Sequence, residues 1–204
     1  MTRRASKESP GDESAPRRYL NPQDNCWYIQ ITQGETHVTD APGEILTTIL
    51  GSCIAACIRD PAIGVGGMNH FLLPQSDGED RDAKRYGVNA MELLINGLLK
   101  RGAVRERLEA KIFGGANVIA GLSDIGSRNA AFAEQYLADE GIRLVGGDVG
   151  GSTPRRIQYW PADGRARQLA MPPMDNVKLV ERELAQSAPP RRVARESDDD
   201  VELF

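Results

Sequence analysis

Two strand-like apolar runs, "EILTTIL" at 44–50 and "CIAACIRD" at 53–60, are separated only by Gly51 and Ser52, and a cysteine opens the second run. Branched residues dominate both runs and Asp60-Pro61 closes the pair, so both are expected as strands. Cys53 is therefore expected at the mouth of a buried strand, where a thiol is either core filler or a nucleophile.

The flanking segments extend an alternation of strands and helices. "CWYIQITQG" and "AIGVGGMNHFLLP" read as strands, and the Gly66-Gly67 pair suits a place where another segment of chain comes close. In "AKRYGVNAMELLINGLLKRGA", residues Val88, Met91, Leu94, Ile95, Leu98 and Leu99 recur three and four apart, which makes one apolar stripe on a helix ending near Gly102. "LEAKIFGGANVI" is a strand, "SRNAAFAEQYLADEG" a second helix with Ser127 or Asn129 suited to capping it, and "IRLVGGDVGG" a further strand. "RRIQYWPADGRARQLAM" is a hairpin turning at Asp163-Gly164. Together these predict an α+β fold, an α/β sandwich of mixed β-sheets with helices packed outside, in a single compact domain with flexible termini. No glycine pair supplies G-x-G-x-x-G or a P-loop lysine, which argues against a nucleotide site.

Residues 1–20 are rich in Ser, Pro, Arg and Glu and are expected to be a disordered extension. The domain proper is expected over 21–178, followed at 179–204 by a polar tail with an acidic run. The sequence contains no apolar run of about 18 residues, so direct membrane insertion is not expected. The amino-terminal residues lack a secretory pattern, and the three cysteines are odd in number without scaffold spacing, which together point to the cytoplasm. A net charge of −4 without a basic stripe speaks against nucleic acid as a partner.

Two histidines are present. His37 lies in a polar, turn-rich segment and reads as a surface residue, whereas His70 sits in an apolar strand 17 residues after Cys53. If the two strands pair, His70 comes within reach of the thiol as a general base. Cys53, Ala55 and Cys57 share one face of a strand, Cys57 reads as a buried structural thiol, and Cys26 beside Trp27 and Tyr28 as core. Backbone amides near Gly51, Ser52 and Cys53 are candidate oxyanion donors, and Asn69 is a candidate for lining the same site.

The ordered blocks "LTTILGSCIAACIRD", "GGMNHFLLP", "RYGVNAMELLIN", "KIFGGANV", "IGSRNAAF" and "DVGGSTPRRIQY" resemble the chemoreceptor glutamine deamidase family, CheD, over about residues 34–170. The resemblance implies a Cys-His-Thr thiol deamidase, with Cys53 as nucleophile, His70 as base and Thr47, six residues before the cysteine, as third member, the adjacent Thr48 being the alternative. It further implies hydrolysis of glutamine side chains to glutamate on methyl-accepting chemoreceptors through a thioester, with methylesterase chemistry at the same sites as a secondary activity. A CheC-type phosphatase is an implied partner, and a regulatory module acting mainly through that complex is the alternative. No metal or organic cofactor is expected.

Overall fold

The chain crosses repeatedly between two β-sheets, which divides its apolar residues into two separate layers. The computed structural model describes residues 17–74, 81–118 and 124–171. Four strands open the order: β1 (Arg17–Asn21), β2 (Cys26–Gln30), β3 (Thr36–Thr39) and β4 (Glu44–Leu50). Then come β5 (Ile54–Asp60), β6 (Val65–Asn69), α1 (Arg81–Lys100), β7 (Glu109–Gly114) and α2 (Ile125–Asp139). The last three strands are β8 (Arg143–Val149), β9 (Arg155–Tyr159) and β10 (Ala166–Ala170).

One five-stranded sheet runs β1-β2-β4-β9-β10 and the other β3-β6-β5-β7-β8. Both are mixed: β2 is parallel to β4, and β7 to β8, while the remaining pairs are antiparallel. Because strand side chains alternate between faces, β5 contributes to two cores at once. Ile54, Ala56 and Ile58 join the layer beneath α1 and α2. Ala55 and Cys57, with Cys53 just ahead of the strand, join Leu46, Leu50, Met68, Phe113 and Tyr159 between the sheets. The expected mixed sheets with helices outside are thus the observed architecture, with both helices covering the second sheet.

Helix α1 buries Met91, Leu94, Ile95 and Leu98 as the apolar period requires. Burying each large aliphatic side chain contributes about 1.5–3 kcal/mol. Val88 departs from the expected stripe and is exposed, because Ala83 and Gly87 carry the contact in the first turns. A Cβ added to Gly67 would lie 2.6 Å from the His37 carbonyl oxygen and 2.8 Å from Leu94, so the close approach expected at the glycine pair is present.

Three local expectations change. Residues 17–20, grouped with the amino-terminal extension, form most of β1 and pair with β2. His37 belongs to strand β3, whose Thr36–Thr39 run pairs with β6. Asn129 lies inside α2, which starts at Ile125 with Asp124 at its cap position, so neither Asn129 nor Ser127 caps it. The rest of the expected amino-terminal extension and all of the 179–204 tail lie outside the described residues.

Asp60 ends β5 fully buried and gathers the surrounding loop. Arg107 donates to it through Nε at 3.0 Å and Nη2 at 2.6 Å, and the backbone amides of Val104 and Ala62 donate at 2.9 and 3.0 Å. The Arg107 hydrogen bonds, joined by those amides, hold the carboxyl down at about 2 although desolvation pushes the other way. A folded-state value below the unfolded one, near 3.9, means the stabilisation is full above about pH 4 and is lost as pH falls toward 2. Thermal melts followed by circular dichroism should therefore show the wild-type midpoint falling over that window. Asp60→Asn should melt lower at neutral pH and lose less on acidification; parallel curves would remove Asp60 as the source.

Candidate active site

Strands β4 and β5 lie in different sheets, so Gly51, Ser52 and Cys53 form the crossover between them. Its ends are fixed by backbone bonds to the segment after β7: the Ala116 amide donates to the Gly51 carbonyl and the Gly115 amide to the Cys53 carbonyl, both at 2.8 Å. Cys53 is thereby held at the edge of the sandwich, with 1% of its surface exposed.

His70 follows β6, and an antiparallel bridge joins Ile54 to Phe71 through two 2.9 Å hydrogen bonds. That register sets His70 opposite Ala55, on the face that Cys53 also uses, two residues away along the strand. Its backbone is fixed on the other side as well, since the His70 amide donates to the Glu35 carbonyl at 3.1 Å and its carbonyl accepts from Gly34 at 2.7 Å.

Across the gap, β4 presents Thr48. Its hydroxyl lies 2.9 Å from His70 Nδ1 and donates its one proton to the Ile31 carbonyl at 2.7 Å. That carbonyl is itself 3.5 Å from Nδ1. Both neighbours of Nδ1 can then only accept, which assigns the ring proton to Nδ1 and leaves Nε2 as the basic nitrogen. A histidine in this tautomer is set up to take a proton from a thiol.

Thr47 takes a different position from the one expected of it. Alternation along β4 sends Leu46, Thr48 and Leu50 toward the gap between the sheets and turns Thr47 to the opposite face, where its hydroxyl donates to the Ile157 carbonyl at 2.9 Å. The residue against His70 is its neighbour Thr48. Asn69 is likewise turned away from the thiol: its Oδ1 accepts from the Ala56 amide at 3.0 Å, and its Nδ2 donates to the Ala90 carbonyl of α1 at 3.0 Å.

Two residues that sequence reasoning passed over stand close to Cys53. Gln33, on the turn between β2 and β3, accepts from the Cys53 thiol through Oε1 at 3.6 Å. Tyr86 of α1 has its hydroxyl 3.7 Å from the position a Cβ would take on Gly34, and burial and then the charge of Cys53 push its phenol up. Gln33 sits within "QITQGE", where no period or motif marks it, and Tyr86 is an exposed residue of the helix. Contact with the thiol identifies Gln33, and the electrostatic influence of Cys53 on the phenol identifies Tyr86.

The same geometry separates the three cysteines. Cys57 is a buried thiol within β5, and desolvation pushes it far above the ordinary range, so it stays protonated and inert. Cys26 is half exposed at the start of β2 and donates to the Asp24 carbonyl at 3.5 Å, a surface position where core was expected.

Comparison with known proteins gives this arrangement a family. Residues 72–169 match the family model described as CheD chemotactic sensory transduction. "Probable chemoreceptor glutamine deamidase CheD" of Caulobacter vibrioides (strain NA1000 / CB15N) is 58% identical over 178 residues, 86% of this chain and 92% of that protein. The protein of the same description from Rhizobium meliloti (strain 1021) is 52% identical over 179 residues, 86% of this chain and 95% of that protein. The chain belongs to the CheD family.

Within this CheD-family chain, the placement of the two threonines has a direct readout. Thr48→Val should slow alkylation of Cys53 by iodoacetamide at neutral pH by roughly ten-fold, because His70 loses the group that orients it. Thr47→Val should leave the rate within about two-fold. Peptide mass spectrometry over a time course gives both rates, and equal slowing in the two variants would contradict the assignment to Thr48.

Proposed function

We propose that this CheD-family chain hydrolyses the side-chain amide of glutamine on the cytoplasmic part of methyl-accepting chemoreceptors, with Cys53 as nucleophile, His70 as general base and Thr48 as its orienting partner. The carrying observation is the Thr48 to His70 Nδ1 contact at 2.9 Å, with the hydroxyl proton engaged by Ile31, on the face shared with Cys53. The substrate follows from the relatives, whose description is chemoreceptor glutamine deamidase.

His70 Nε2 takes the thiol proton, and Sγ bonds to the amide carbon of the substrate glutamine. The negative charge moves to the amide oxygen, where the backbone N–H groups of Ser52 and Cys53 are the proposed donors. Collapse breaks the C–N bond while the imidazolium returns its proton to the departing ammonia. Water, deprotonated by the same imidazole, then attacks the thioester carbon; the C–S bond breaks, leaving glutamate and a restored thiol. A glutamate methyl ester offers the same acyl carbon with methanol as the leaving group, which makes esterase activity at the same site a secondary reaction.

Threonine suits this role because the partner is a thiol. A free cysteine with a pKa of about 8.5 yields its proton more readily than an alcohol, so a neutral hydroxyl that fixes the tautomer is enough without a carboxylate beside the imidazole. Before turnover, the substrate amide must also displace Gln33, whose carboxamide accepts from the same sulfur.

Incubation of the purified protein with chemoreceptor cytoplasmic fragments should add about one dalton at specific glutamines, detected by peptide mass. Cys53→Ala should abolish the gain, and His70→Ala should lower its rate by about 10²-fold or more. A gain that persists in Cys53→Ala would rule out the proposed nucleophile, and peptide fragments in place of the mass gain would indicate proteolysis.

A further inference from the structure

The crossover that carries Cys53 has three consecutive carbonyls, and the middle one is held by a side chain. Asn129 of α2 is completely buried, and its carboxamide is used at both ends. Its Nδ2 donates to the Ser52 carbonyl at 2.8 Å, and its Oδ1 accepts from the Leu73 amide at 3.0 Å, three residues beyond His70. One amide group thus bridges the segment of the nucleophile and the segment of the base, across 77 and 56 residues of sequence.

The approach that allows this is made by glycine. A Cβ on Gly126, in the first turn of α2, would lie 2.4 Å from the Gly115 carbonyl oxygen, so the helix is pressed backbone to backbone onto the segment that binds the Gly51 and Cys53 carbonyls. Asn129 follows three residues later, on the same helical face. All three carbonyls of the crossover are therefore drawn toward the β7 end and α2: Gly51 by Ala116, Ser52 by Asn129 and Cys53 by Gly115.

We propose that Asn129 is a positioning residue for the reaction, one that orients the Ser52–Cys53 peptide so that the Cys53 N–H points at the oxygen of the tetrahedral intermediate. In a planar trans peptide the C=O and the following N–H point in opposite directions. With the Ser52 oxygen fixed toward α2, outside the second sheet, the Cys53 N–H faces the gap between the sheets, where Thr48 and His70 lie. A backbone donor aimed in advance at developing charge costs no reorganisation in the transition state. This assignment rests on the deamidase reading, and it adds to Cys53, His70 and Thr48 a residue that touches none of the reacting atoms.

Deamidation needs the oxyanion donor, whereas alkylation of the thiol by iodoacetamide is a displacement at carbon that builds no oxyanion, so comparing the two separates this role from general damage. In folded Asn129→Ala, kcat on a receptor cytoplasmic fragment should fall by about 10²-fold with KM and the Cys53 alkylation rate within about three-fold of wild type. Asn129→Asp keeps the acceptor for Leu73 and can donate to Ser52 only while its carboxyl is protonated. The ratio of deamidation to alkylation in this variant, taken relative to wild type, should fall as pH rises from about 6 to 9. Asn129→Asp carries the test alone if the alanine variant does not fold. A kcat within about three-fold of wild type in Asn129→Ala, deamidation and alkylation falling together, or a pH-independent ratio in Asn129→Asp would each overturn the assignment. A wild-type chain that leaves receptor glutamines unchanged would instead overturn the deamidase reading, and this assignment with it.

Discussion

Buried backbone groups need partners, and that demand falls on the point where β4 leaves one sheet and β5 enters the other. Three residues make the crossing, too few to form regular structure, and their carbonyls are met by Ala116, Asn129 and Gly115. Each partner belongs to the β7 end or to α2, so the crossover has its shape only when both are docked. The bridge from Ile54 to Phe71 fixes the next residue along and brings His70 into register. The arrangement around Cys53 is thus a by-product of hydrogen-bond satisfaction at a sheet boundary.

Cys53 and Cys57 make an instructive pair because they share one face of the same strand direction and are equally buried. Cys57 lies between paired strands, where desolvation outweighs the opposing charge of Lys111 and the neutral thiol wins. Cys53 lies one step outside the ladder, beside a polar group from Gln33 and on the face where His70 and Thr48 converge. The difference in their chemistry comes from where regular pairing stops. Polar side chains reach a sulfur only where the neighbouring strands no longer cover it.

The strands β2, β4 to β9 and the hairpin at Asp163-Gly164 were legible from apolar runs and turn residues, and the helices from period and glycine stops. β1 and β3 were not, because "RRYLN" is mostly exposed, "THVT" is polar and largely half-buried, and both are ordered by their neighbours more than by their own composition. Cys53 and His70 stood out as reactive residue types in apolar surroundings. Thr48 did not displace Thr47 because "EILTTIL" is apolar on both faces, so nothing in the run says which parity faces the gap. Only the partner strands set that parity, and a motif distance counted along the chain carries no information about it. Asn69, one residue from His70 and therefore on the opposite face, bonds Ala56 and Ala90.

The position of β4 has a further consequence for the order in which this molecule comes into being. β4 is flanked by β2, made shortly before it, and by β9, and the Thr47 hydroxyl reaches a carbonyl 110 residues further along the chain. Contacts so distant in sequence form late, because closing a long loop costs entropy before any pairing repays it. On the ribosome, the sheet carrying Thr48 stays incomplete until the segment 155–159 has emerged, well after Cys53 and His70 have been synthesised. A nascent chain therefore carries its thiol and imidazole through most of synthesis with one wall of the site still missing, and the C-terminal hairpin is the piece that closes it.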